Sequence, residues 1–334
     1  MALRASQFAL VLVIGVALQC TNSTGPGGPP YTHPSGSVVD SIPLTGRPFA
    51  VAISASSVVL VTQLDAGYMG RTTVAGRTFG TDFPVGAIPS QVRVSPNGGT
   101  AYVNNQDAGA VKFMDTSAGT TFQTTTVPGS VLSIGLSPSG ARLYALTDYR
   151  GVYVIDAGSG TVLDSISPTA VGSILTGVAF HPTRPLMYVS ARDAGTVATI
   201  NTQTHAVIHL DSVVGGNVQN VAVSPDGTQL FATDILRSKL IAWDLVSGSL
   251  TSAHQEYPIG TPVSRNAFDV AVTRDNAQVY VSTLVDGKVY ILDRVTRAPM
   301  DSIRTGGSAR YIGFDGLGGT AVIPNEGGWV TFVH

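Results

Sequence analysis

Two of the four common charged residues are nearly missing from this chain of 334 residues. Only two glutamates (Glu256, Glu326) and three lysines (Lys112, Lys239, Lys288) occur, and all charged residues together make up 12%. That is about half the share of roughly 25% usual in soluble domains. With a formal charge of −2 there is no basic footprint for nucleic acid. Nor is there a polybasic patch for a membrane surface. A single cysteine, Cys20, rules out a disulfide within the chain. The six histidines (His33, His181, His205, His209, His254, His334) show no metal-ligand spacing. No Gly-x-Ser-x-Gly elbow, glycine-rich phosphate loop or catalytic cysteine follows the N-terminal segment. Neither a cofactor nor a metal is therefore expected. What is abundant is glycine, 38 residues of it, with 43% hydrophobic side chains, the composition of turns and strands.

The first twenty residues stand apart. Arg4 opens them, and Phe8 to Leu18 is an apolar run of eleven, the length of a signal-peptide core and too short to span a bilayer. Cys20 and then residues 21–36, rich in Pro, Gly, Ser and Thr, follow as a flexible linker. This resembles a bacterial lipoprotein leader, although Ala17-Leu18-Gln19 departs from the usual order before the lipidated cysteine. The expectation is export to the cell envelope or periplasm, with a lipid anchor at Cys20 as the membrane contact. Cleavage after Ala17, giving a secreted protein, is the rival.

From Ser37 to His334 one phrase recurs. Its first strand reads FAVAIS at Phe49–Ser54, SQVRVS at Ser90–Ser95, LSIGLS at Leu132–Ser137 and TGVAFH at Thr176–His181. It returns as QNVAVS at Gln219–Ser224, FDVAVT at Phe268–Thr273 and RYIGFD at Arg310–Asp315. The closing residues are 41, 42, 44, 43, 49 and 42 positions apart. Seven copies of about 42 residues, built on four short β-prone runs bounded by Pro, Asn, Asp or Gly, predict an all-β, seven-bladed β-propeller of four-stranded antiparallel blades. In each first strand large apolar residues alternate with a small one, such as Gly135, Ala179 or Gly313, which lets neighbouring blades approach. Arg93 breaks that column, so it either reaches into the central channel or marks a displaced second blade. The last copy lacks its outer strand. Residues 37–45 supply one, because Asp40-Ser41-Ile42 repeats Asp164-Ser165-Ile166 and Asp301-Ser302-Ile303. The N-terminal strand should close the ring. Asp115, Asp156, Asp244 and Asp293 recur at one turn position and are expected to cap turns.

On Tyr102-Val103-Asn104-Asn105, with Tyr188-Val189-Ser190 and Tyr280-Val281-Ser282-Thr283 as weaker copies, the chain resembles the YVTN-repeat or YncE-like propellers. These are related to lactonase and amine-dehydrogenase β-chain propellers. Trp243-Asp244 mimics a WD40-like repeat ending in one blade only. The resemblance implies the fold and leaves activity open.

A site is expected at the channel mouth, where non-repeated polar residues gather. The candidates are Arg47, Gln91, Asn105, Asp148, Arg150, Arg192, Asn220, Arg265, Asn266, Arg310 and Asn325, with Tyr149, Arg237, Tyr311 and Glu326 nearby. Five of the arginines, from five blades, would focus a positive potential suited to carboxylate or phosphate unless neighbouring aspartates neutralise them. An insertion at residues 251–265, carrying Glu256 and Tyr257, breaks the repeat and adds to the case for function. The leading expectation is a monomeric, non-catalytic module that binds a protein, peptide or glycan at the mouth. The alternatives are a lactonase-like hydrolase using Asp148, Asp269 or Glu326, and an accessory subunit of a redox enzyme.

Overall fold

The computed structural model describes residues 31–251, 253–260 and 266–334. The leader, Cys20, linker residues 21–30 and Arg265 lie outside them. Among the described residues the strands form seven antiparallel sheets, and the only helix is a single turn, Pro168–Val171. Six blades begin with the predicted inner strands, at Pro48–Ile53, Pro89–Val94, Val131–Leu136, Leu175–Phe180, Val218–Val223 and Ala267–Val272. In the seventh the chain supplies Gly313–Phe314, Ala321–Asn325 and Trp329–Val333. The N-terminal strand Val38–Pro43 then pairs with the last of these, in the register Ile42 opposite Val330. The ring is closed as the sequence implied.

Residues just ahead of the closing strand are tied down as well. Thr32 N donates to Leu317 O at 3.0 Å, Ser37 N donates to His334 O at 3.1 Å, and the Tyr280 hydroxyl donates to Pro34 O. His33 Nδ1 lies 2.5 Å from Asp275 Oδ2. The chain is therefore held against the sixth and seventh blades from Thr32 onward.

The core lies between blades. Tyr188 and Val197 of the fourth blade pack with Val221, Leu230 and Trp243 of the fifth, and Tyr280 and Ile291 of the sixth pack with Ile323 and Val333 of the seventh. The small-residue column makes this approach possible. A Cβ on Gly135 would stand 2.7 Å from Val178 Cγ1, too close for any side chain. The motif tyrosines cross the same seams. Tyr102 donates to Ala157 O and Tyr188 to Gly248 O, each in the next blade. Asn104 does so too. Its amide donates to Val131 O in the third blade and to Ser90 Oγ, and its oxygen accepts from Gln91 N. The residues that carry the resemblance thus stitch the ring together.

Asp115, Asp156 and Asp293 cap their turns by accepting backbone N–H groups two and three residues on. Asp244 does not. The third strand of the fifth blade runs on as Lys239–Val246 into a hairpin with Ser249–Leu250, so Asp244 lies within a strand and accepts from Gln229 Nε2 instead. That hairpin accounts for much of the long interval. Glu256 belongs to the outer strand that follows, Gln255–Pro258, where it pairs with Arg237 and Lys239.

Candidate functional site

One backbone device shapes the mouth in all seven blades. The N–H of the residue just past the second strand donates to the carbonyl two residues before the repeat's first position. The pairs are Leu64–Arg47, Gln106–Ile88, Asp148–Ser130, Arg192–Ile174, Ile235–Asn217, Leu284–Asn266 and Glu326–Ser308, at 2.9–3.2 Å. The backbone makes the bond, so the side chains at these positions are free to differ. Beside each clip, in the first six blades, the inner strand slips register, as between Val131 and Ser133. Such irregularities re-aim side chains at the rims of sheets. The clip also holds Ile174 at φ 55°, a conformation a β-branched residue adopts only when its surroundings enforce it.

The result is a cavity of about 450 Å³. The first residue of every copy lines it: Phe49, Ser90, Leu132 and Thr176, then Gln219, Phe268 and Arg310. The clip residues of the second to fifth blades add Gln106, Asp148, Arg192 and Ile235. The two sides differ. On the side of the first, sixth and seventh blades, Phe49, Phe268 and Tyr311 meet edge to face with centroids 5.2–6.0 Å apart. The Arg310 guanidinium lies 4.9 Å from the Phe49 ring and 4.4 Å from that of Phe268. The other side offers hydroxyls, amides, one carboxylate and one guanidinium.

Next to the cavity lies a buried polar group centred on Asp269. Its carboxylate accepts from the Asn220 amide and from Ile312 N at 2.8 Å. Burial pushes its pKa up to about 7, against the pull of those hydrogen bonds and of Arg93. Arg93 reaches inward, donating to Gln91 Oε1 at 2.8 Å, with Tyr311 and Asp269 as its electrostatic neighbours. Burial lowers its pKa and raises that of the Tyr311 phenol. The second blade stays in register around it, with Arg93 opposite Tyr102. Of the two readings of Arg93, the inward one holds.

The candidate residues separate into groups. Asp148, Arg192 and Arg310 line the cavity, and Gln91 and Asn220 belong to the buried polar group. Asn105 donates to Ala87 O and keeps a buried Oδ1 with no partner among the described residues, while Asn325 donates to Gly306 O and accepts from Ser308 N and Gly327 N. Asn266 serves through its carbonyl, and Arg150 is exposed outside the cavity. Arg47 turns to Asp65 at 3.1 Å and Glu326 at 2.9 Å. Arg310 shares that glutamate at 2.7 Å. Burial opposes it, yet the two arginines hold the Glu326 carboxyl below its ordinary range. Two described arginines therefore line the cavity, and each already has an acidic partner, Arg310 in Glu326 and Arg192 in Asp193 at 3.3 Å. Among the described residues no positive funnel is formed, because acidic neighbours take up Arg47, Arg192 and Arg310 and Arg150 lies outside the cavity. Sequence reasoning missed the first column of the inner strand, in particular Ser90, Leu132, Thr176 and Gln219. Its signal was present, since seven equivalent positions carry six residue types.

A closed ring of seven four-stranded blades, here with a cavity of mixed polar and apolar lining at the mouth, defines a seven-bladed β-propeller. No family model matches the chain, and no curated protein sequence does. Among solved structures it is similar to hydrazine synthase of Kuenenia stuttgartiensis. The two share 16% identity and a TM-score of 0.79 over 87% of this chain and 96% of that one. At that identity the likeness speaks for the fold alone.

Proposed function

We propose that this chain is an exported, non-catalytic binding propeller that holds its partner through the channel mouth. The observation that carries the reading is the mouth itself: a cavity to which each blade contributes the side chain of one repeat position, varied from blade to blade. Differing polar residues grafted onto one end of a regular scaffold are where a fold of this kind places function. Membership of the YVTN-repeat or YncE-like group belongs to the same proposal, supported by Tyr102 and Asn104. Anchoring through a lipid on Cys20 belongs to it as well, motivated by the apolar run before that residue.

A hydrolase is the second reading, favoured by one observation: Asp269 titrates near neutrality beside the cavity. Against it, both carboxylate oxygens of Asp269 already accept hydrogen bonds, and Glu326 is committed to two arginines. Among the described residues no three His, Cys, Asp or Glu side chains are grouped to hold a metal.

The experiment is native mass spectrometry of the full-length protein after incubation with a fractionated digest of bacterial cell envelope. A species should be retained with its mass unaltered, and Ser130→Trp, which fills the mouth, should abolish retention. Retention unaffected by Ser130→Trp would remove the mouth from the proposal. Recovery of a chemically altered species would favour the hydrolase.

A further inference from the structure

Resting on the reading of the mouth as a binding site, we infer that the ligand it takes is a neutral saccharide, one or two rings of a glycan. The volume, about 450 Å³, lies in the lower part of the range of about 300–1,000 Å³ typical of small-molecule sites. Charge is the first discriminator. An anion would face the Asp148 carboxylate on the cavity wall. It would also find Arg310 held at 2.7 Å by Glu326, and Arg192 Nε 3.3 Å from Asp193. A cation fares no better. The Phe49 and Phe268 faces are covered by the Arg310 guanidinium, which would repel it, and leave Tyr149 as the exposed ring of the lining. A flat heteroaromatic ring needs an open π face, and the edge-to-face packing of Phe49, Phe268 and Tyr311 leaves that wall closed.

What the cavity does present is hydrogen-bonding capacity of both kinds beside apolar surface. Thr176 Oγ1 and Gln219 Oε1 have no hydrogen-bond partner among the described residues. Their residues are only 6% and 5% exposed, and both line the cavity. Both atoms are nearly inaccessible as they stand, and a buried polar atom left unpaired is costly, so a small turn of either side chain toward a ligand that brings a donor is favoured. Sugar hydroxyls donate and accept at once, which suits an amide oxygen, a threonine hydroxyl, a carboxylate and a guanidinium around one ring. The C–H surface of the same sugar suits Leu132, Ile174 and Ile235.

The test is saturation-transfer NMR on the full-length protein at millimolar ligand, using maltose, cellobiose and diacetylchitobiose against glucuronic acid and glucosamine. At least one neutral disaccharide should give transfer. Replacing Thr176→Val and Gln219→Leu together should weaken it by about tenfold or more, the loss of two hydrogen bonds. Ser130→Trp, on a surface loop, should abolish it and guards against a folding defect in the double variant. Stronger, Ser130→Trp-sensitive binding of glucuronic acid or glucosamine would overturn the saccharide class and leave the mouth reading standing. Disaccharide binding indifferent to both variants would place the sugar elsewhere and overturn the inference. Absence of transfer to every probe would also overturn it, the mouth then being judged by retention of envelope species alone.

Discussion

Two positions at the end of each blade's second strand, one inside it and one just past it, two residues apart, behave in opposite ways. At one stand Thr62, Asn104, Ser190, Thr233 and Ser282, in five of the seven blades. Their side chains accept the inner-strand N–H groups of Ala50, Gln91, Asn220 and Asp269, or donate across the seam to Val131, Gln219 and Phe268. At the other stand Leu64, Gln106, Asp148, Arg192, Ile235, Leu284 and Glu326, with nothing in common. Both positions hold the ring. The first does so with a small polar side chain in five blades and gives way to Leu146 and Pro324 in the third and seventh. The second does so with its backbone and is free. The mouth differs between blades because its architecture is paid for by peptide groups.

The comparison breaks most visibly at Asn104. Asn104→Ala leaves the Gln91 N–H and the Val131 carbonyl without their partner in a fully buried position. Each orphaned group costs about 1–3 kcal/mol, so urea unfolding should show a loss of about 2–6 kcal/mol. A loss below about 0.5 kcal/mol would mean that Asn104 does not join the blades.

Between seam and mouth lies Asp269, and pH sharpens the contrast there. Its pKa is about 7 when folded, against an ordinary value of about 3.9. The folded state therefore binds this proton more tightly than the unfolded one. Stability is greatest below the unfolded value, falls as pH rises from about 4 to 7, and is level above. Asp269→Asn cannot titrate, so its stability difference between pH 5 and pH 8 should be smaller than that of the parent by about 1–3 kcal/mol. Parallel curves for the two proteins would show that Asp269 is ionised in the fold at ordinary pH.

The same contrast explains how much could be read from sequence. Blade number and the small-residue column were legible because each rests on a side-chain requirement repeated in six or seven blades, and the closing strand at Val38–Pro43 because its Asp-Ser-Ile recurs in two other outer strands. Asp244 misled because one strand runs on past the usual turn. The mouth was legible only as a region. Asp148, Arg192 and Arg310 were found, but Arg47 and Arg150 were grouped with them, since composition does not tell which way a loop arginine turns. Thr176 and Gln219 passed unnoticed. The register slip that aims the start of each strand at the cavity lies in backbone pairing, which no residue type announces.

The smallest expected effect is at Gln106, and its smallness is what it tests. The side chain lines the cavity, while the N–H donates to Ile88 O at 3.1 Å and the carbonyl accepts from Val131 N at 3.1 Å. If backbone alone does the structural task, Gln106→Ala should change unfolding free energy by no more than about 0.5 kcal/mol, the range of neutral surface substitutions. Gln106→Pro keeps the site equally short of its amide but deletes the N–H. It should cost about 1–3 kcal/mol by leaving the Ile88 carbonyl unpaired. Equal losses in the two variants would show that the side chain itself supports the fold. The free column at the mouth would then be no freer than the seam two residues away.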